Sequence, residues 1–275
     1  MRRFIFSVTT LALLFGAILS PTANALPVSP TYVALGDSVA AGAGLPLFSN
    51  ATTEDVLCKR SYQAYPYKIA AQLNTSVTQL SCSGAKVDEG IYGTQNRSGT
   101  NIAPQLTKAF QNGAPDLMTV TIGANDARWT QFIRDCYVFR CGSKFDDVRA
   151  KVYRADLRIE LYRMLYQINQ MSGDQSPQVL LNGYYAPFSS QDCADSDRIT
   201  LAERAWLNDQ TARLNQAIKS VVPYFSFAKY VPVNFSGHEL CSSAPWIQGK
   251  AGVAPFHPTA NGQTAIARSF LSSTH

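Results

Sequence analysis

Histidine is scarce in this chain: three in 275 residues, His238, His257 and His275. A reaction that needs imidazole as proton acceptor therefore has few candidates, and His275, the last residue, sits where chain ends fray. Charge is also low, at 16% of residues. The stretch 144–163 carries Lys144, Arg149, Lys151, Arg154, Arg158 and Arg163, but Asp146, Asp147, Asp156 and Glu160 are interspersed among them. Such a mixture describes a solvated face and argues against nucleic acid as a partner. No C-x-x-C occurs among the six cysteines, which removes the usual start of a zinc site. Asp192, Asp195 and Asp197 lack the spacing and glycine of a calcium loop and read as a solvated loop around Cys193, so no metal or cofactor is expected. Internal repeats, low-complexity tracts and domain-separating linkers are absent as well.

What is present is enough apolar sequence, 46% of residues, to bury one full core. The first 25 residues read as a secretory signal: Arg2 and Arg3, an apolar run, then Ala23-Asn24-Ala25. The run from Phe4 to Leu19 is shorter than the roughly 20 residues of a membrane span. Cleavage after Ala25 leaves residues 26–275 as a single secreted domain, whose formal charge falls from +5 to +3 with the loss of the two arginines. An even cysteine count in an exported chain favours disulfides. Cys136 and Cys141 are close enough to close a small loop. For the remaining four, Cys58 with Cys82 and Cys193 with Cys241 is the simplest of the possible pairings.

Short, continuous β-like runs recur at 31–36, 76–82, 116–123, 178–185 and, less clearly, 225–233. Runs without alternation are the mark of strands buried on both faces, as in parallel sheets. Helical stretches lie between them at 62–73, 103–111, 145–171, 199–221 and 258–271, the last with Pro258 in its first turn. In the long one, Val148, Val152, Ala155, Ile159, Tyr162 and Tyr166 recur at steps of three and four and share one face. Alternating strands and helices predict a parallel sheet covered on both sides, with ligands at the carboxyl ends of the strands. Three strands end in unusual turns, Gly36-Asp37-Ser38, Ser81-Cys82-Ser83-Gly84 and Gly123-Ala124-Asn125-Asp126, which should converge on one edge.

A serine hydroxyl becomes a nucleophile when a base takes its proton. The base must be His238 or His257, and His238, in Ser-Gly-His-Glu-Leu-Cys beside a disulfide cysteine, reads as structural. The backbone N–H groups of Ser38 and Gly84 and the amide of Asn125 would supply the donors an oxyanion needs. Glycine at 84 lets the main chain approach a substrate. No G-x-S-x-G elbow occurs, which argues against the α/β-hydrolase architecture.

Four blocks appear in order, "GDSVAAG" at Ser38, "SCSGA" at Gly84, "TIGANDA" at Asn125 and "FHPTANG" at His257, with "CKRSYQAYP" and "GHELCSSAPWI" between them. In these the mature chain resembles the SGNH (GDSL) hydrolases, specifically their secreted actinobacterial lipase/esterase branch. The resemblance implies a three-layer α/β/α sandwich around a mostly parallel five-stranded sheet. It implies ester hydrolysis through an acyl-enzyme on Ser38, an oxyanion hole of Ser38, Gly84 and Asn125, and His257 as base. It also implies three sequential disulfides.

The chain departs from the family at one position. The aspartate usual three residues before the histidine is replaced by Ala254, and the expected substitute is the backbone carbonyl of Ala254 or Pro255. Apolar residues after the turns, Leu45 to Phe48, Trp129, Phe132, Tyr184, Tyr185 and Phe188, either line an acyl groove or pack the loops. The expected substrate is a fatty-acyl ester or phospholipid, met by a monomer in at most transient contact with a lipid surface. The alternatives are a carbohydrate O-deacetylase and a non-catalytic binding protein on the same scaffold.

Overall fold

The computed structural model describes residues 29–274; the expected signal and its cleavage point, and His275, lie outside them. In chain order the elements are β1 (Tyr32–Gly36), α1 (Ser38–Ala41), α2 (Thr53–Cys58), α3 (Tyr65–Gln72), β2 (Val77–Gln79), β3 (Gln95–Arg97), β4 (Thr100–Ile102), α4 (Gln105–Ala109) and β5 (Leu117–Thr121). There follow α5 (Trp129–Val138), α6 (Lys144–Ser172), β6 (Gln178–Asn182), α7 (Leu201–Val221), β7 (Ala228–Val231) and α8 (Ala260–Leu271).

Strands β2-β1-β5-β6-β7 form one sheet in that order, and every pairing is parallel. All five residues of β1 and of β5 are buried, which is why these segments read as continuous apolar runs. The chain moves from β1 outward to β2, then crosses back over β1 to β5 and continues to β6 and β7. Right-handed crossovers put the connections of the two directions on opposite faces. Accordingly α3 packs against α8 and α6 against α7, giving the three-layer α/β/α sandwich. The reversal of direction falls between β1 and β5, and a crevice opens at such a switch point beyond the carboxyl ends.

The structure shortens β2 to three residues and β7 to four, and adds α5 and a β3–β4 hairpin that the apolar pattern does not announce. The last helix starts two residues later than expected. Thr259 caps it by accepting from the Gly262 N–H, so Pro258 stands before the cap and not in the first turn. The cysteines pair in sequential order, Cys58–Cys82, Cys136–Cys141 and Cys193–Cys241.

The long helix holds the largest surprise. Its inward face is Ala150, Leu157, Leu161, Met164, Leu165 and Ile168, all buried. The residues at steps of three and four in the sequence, Val148, Val152, Ala155, Ile159, Tyr162 and Tyr166, lie on the opposite side and are exposed. Two apolar faces coexist on one helix, and periodicity alone does not tell which one meets the sheet.

Gly36 ends β1 with φ +140°, and a Cβ built there falls 2.2 Å from the carbonyl oxygen of Thr121. The obstacle is backbone of a central strand, which has little room to shift. Gly36→Ala is expected to cost about 4 kcal/mol, at the severe end of single substitutions, measured as the change in urea unfolding free energy.

Candidate active site

The carboxyl end of β1 delivers Asp37 and Ser38 directly into a single helical turn. Asp37 is buried and caps that turn, its Oδ1 accepting from the Val39 N–H at 2.9 Å. A four-residue helix has almost no internal hydrogen bonding, and its macrodipole is correspondingly small, so the turn must be held from outside. Three buried glutamines do this. Gln105 brackets Gly36, accepting from its N–H at 2.8 Å and donating to its carbonyl at 3.0 Å. Gln79 donates to the Ala40 carbonyl and Gln263 to that of Val39, each at 2.9 Å. Polar residues within apolar segments were the only signal of these braces, and sequence reasoning missed them.

The other two turns are tied to the first. Cys82 N–H donates to the Gly36 carbonyl at 2.9 Å, and the Cys58–Cys82 bridge anchors the following Gly84 turn to α2. Gly84 has φ +84°, open to glycine at little cost, and its N–H donates to no protein group among the described residues. The Asn125 amide donates to the Ala85 carbonyl at 2.8 Å, which orients the side chain and leaves its second N–H available. Tyr184 joins the remaining pair of turns: its hydroxyl donates to Asp37 Oδ2 at 2.6 Å and accepts from the Ala124 N–H at 3.1 Å.

His257 arrives from a loop, 246–259, that is laced to itself. Gln248 N–H donates to the His257 carbonyl at 2.8 Å, Phe256 N–H to that of Gln248 at 2.9 Å, and Thr259 N–H to that of Trp246 at 2.8 Å. Phe256 has φ +66°, a left-handed conformation rare for an aromatic residue, and Tyr185 fixes it by donating to its carbonyl at 2.7 Å. The Gln248 amide donates to both the Ala43 and Pro258 carbonyls at 3.1 Å, stitching this loop to the nucleophile segment.

These supports bring His257 Nε2 to 2.6 Å from Ser38 Oγ, although 219 positions separate them. On the far side of the ring, Nδ1 lies 3.0 Å from the carbonyl oxygen of Pro255. A carbonyl can only accept, so Nδ1 carries the proton and the Nε2 lone pair faces the serine. Of the two expected carbonyls the structure uses that of Pro255 for the ring; that of Ala254 accepts from the His257 N–H at 3.2 Å. Burial pushes the His257 pKa down, with the Pro255 carbonyl opposing, so the ring is neutral at neutral pH.

Two acids stand nearby and neither touches the imidazole. Asp37 is raised to about 7 by burial, opposed by the Tyr184 hydroxyl. Burial likewise raises Asp126 to about 6. Its Oδ1 accepts from the Val87 N–H at 3.0 Å, and its Oδ2 is enclosed without a protein partner.

Other candidates lie elsewhere. His238 stacks on Trp246 at 3.6 Å and points Nδ1 at the Ala244 carbonyl, and the ring that meets Ser38 is that of His257. Asp192 pairs with Arg204, Asp197 with Lys250, and Asp195 accepts from the Lys250 N–H. No three His, Cys, Asp or Glu side chains among the described residues gather as a metal site. Of the apolar residues named for a groove, Phe132, Tyr184, Tyr185 and Phe188 belong to the core, and Phe48 packs against Tyr62 and Tyr67.

Comparison with known proteins agrees with this geometry. Residues 34–265 match the model of the GDSL-like lipase/acylhydrolase family. A lipase from Streptomyces rimosus is 32% identical over 91% of this chain and 88% of its own length. Lipase 1 of Streptomyces coelicolor is 29% identical over 96% of each. The crystal structure of the extracellular lipase from S. rimosus superposes with a TM-score of 0.72 at 28% identity, covering 89% of this chain and 99% of that one. Phospholipase A1 from Streptomyces albidoflavus gives 0.71 at 26% identity, with the same coverage. With its four blocks meeting at one sheet edge, the chain belongs to the GDSL-like lipase/acylhydrolase (SGNH) family and is a carboxylic ester hydrolase.

Proposed function

We propose that the protein is a secreted serine esterase that cleaves fatty-acyl esters, phospholipids included, through an acyl-enzyme on Ser38. The observation that carries this reading is the alignment of Ser38 Oγ, the His257 ring and the Pro255 carbonyl, at 2.6 and 3.0 Å. In the first step His257 Nε2 takes the Ser38 proton as Oγ attacks the ester carbonyl. The resulting oxyanion is met by the N–H groups of Ser38 and Gly84 and the free N–H of Asn125. His257 then returns its proton to the departing alcohol. Water repeats the cycle on the acyl-serine and releases the acid.

The Pro255 carbonyl supplies orientation and the correct tautomer without a negative charge. An aspartate in that place would also hold the imidazolium by its charge; here only a dipole does so. The substrate class draws support from the S. rimosus lipase and the S. albidoflavus phospholipase A1, both similar over nearly the whole chain. The extracellular lipase among them also supports export, as does the signal-like start of this sequence.

Ser38→Ala is expected to lower nitrophenyl ester hydrolysis by about 10⁴-fold or more. A series from acetate to long-chain esters should rise with acyl length; a maximum at acetate would favour O-deacetylation, and no hydrolysis by the wild type would leave only a binding role. Because the histidine must be neutral to act and its pKa is lowered, the acid limb of kcat/KM should have its midpoint below the ordinary imidazole value of about 6.5. A midpoint above 7 would show that an acid faces the ring after all. Asp37→Asn and Asp126→Asn should each retain hydrolysis well above that of Ser38→Ala; a loss near the roughly 10⁴-fold of a missing triad aspartate would sink the dyad.

A further inference from the structure

The outward face of α6 is apolar along most of its length. Phe145 extends the exposed set, so that seven positions from 145 to 166 follow each other at strict steps of three and four. Six of them are large or branched and between 44% and 68% exposed. The stripe is about 31 Å long. It is continued at one side by Tyr224, 69% exposed, whose ring meets Tyr162 at 5.8 Å. Val138 and Phe139, 61% and 73% exposed, stand in the loop closed by the Cys136–Cys141 bridge, which leads into the helix. Apolar surface of this extent, contiguous and unneeded by the core, marks a contact site.

The charges beside it select the partner. One flank carries Lys144, Lys151 and Arg158, all exposed and without an ion-pair partner among the described residues. The other carries Arg149, paired with Asp135 and Asp146, then Asp156 and the Arg163–Glu160 pair. Read as a heptad, the three lone cations occupy one and the same edge of the seam. Two copies packed antiparallel would bring these edges together, Lys151 against Arg158. A parallel pair would oppose Lys144 to Arg149 and Arg158 to Arg163, with Lys151 and Asp156 the one opposite-charge match of the three. Self-association is therefore penalised in either orientation, and an anionic partner is not. Aromatic rings at the ends of an apolar band with lysine and arginine along its edge are what an anionic lipid surface accepts in its headgroup layer. No helix among the described residues is long and apolar enough to cross a membrane, so contact is at the surface.

We propose that this face of α6, with the 136–141 loop, docks the protein on an anionic lipid surface. The purpose of the docking rests on the esterase reading. α6 begins at the site edge of the sheet, and Tyr137, beside Val138, packs its ring 5.6 Å from that of Phe256, the neighbour of His257. Seating this face on lipid holds the catalytic mouth beside its substrate.

The test uses protein recovered from a secreting host and carrying Ser38→Ala, so that vesicles are not consumed. Sedimentation should show about tenfold or greater preference for phosphatidylglycerol vesicles over phosphatidylcholine, lost at high salt. Two triple variants, Val148→Ser with Val152→Ser and Ile159→Ser, and Lys144→Glu with Lys151→Glu and Arg158→Glu, should each lower that partition by about tenfold. With Ser38 intact, both should hydrolyse soluble nitrophenyl acetate within about twofold of wild type, because surface substitutions of this kind leave the fold unaltered. Partition that ignores lipid charge or either variant overturns the proposal. So does a dimer in analytical ultracentrifugation that the same substitutions dissociate. Ester hydrolysis without partition removes the docking and keeps the esterase; partition by a protein that hydrolyses nothing keeps the docking and removes the esterase.

Discussion

A single hydrogen bond, from His257 Nδ1–H to the Pro255 carbonyl, fixes which nitrogen faces Ser38. Everything around the site serves to make that bond possible without an acid. A side-chain carboxylate can swing to its partner, but a backbone carbonyl is aimed only by the conformation of its own chain. This explains the amount of structure invested in the loop 246–259: the ladder of backbone bonds, the left-handed Phe256 held by Tyr185, and the Gln248 amide reaching to Ala43. Where the family usually places charge, this chain places rigidity.

The same trade appears on the nucleophile side. A one-turn helix cannot hold itself, and the chain brings buried glutamines from three separate elements to bind its free backbone groups. Glutamine is suited to the task because one amide can accept and donate at once, as Gln105 does with Gly36, without introducing a buried charge. The acids that are present, Asp37 and Asp126, are enclosed enough to hold their protons more tightly than in water. They brace turns and leave the imidazole to the dipole of one peptide.

The central strands were legible because burial on both faces leaves few polar positions, and β1 and β5 are buried at every residue. Three of the four short blocks were legible because each follows a strand with a turn of distinctive composition, and the fourth because histidine is so scarce in the chain. Less could be read where one pattern fits two outcomes. The helix α6 carries apolar residues on both sides, and only its packing in the fold, against α7 among others, decides which side turns inward. Pro258 fits a first turn as well as the position before a cap, and Thr259 settles the matter locally. The glutamine braces were invisible because their partners are backbone atoms, which leave no trace in side-chain periodicity.

The order of the three bridges has a consequence for biogenesis. Each cysteine is joined to the next one along the chain, and the loops neither nest nor interlock. On the proposed route of export, a thiol meets its proper mate as soon as that mate emerges, before any later competitor is present. Oxidation in step with such translocation would yield the native set directly, with no bridge to reshuffle.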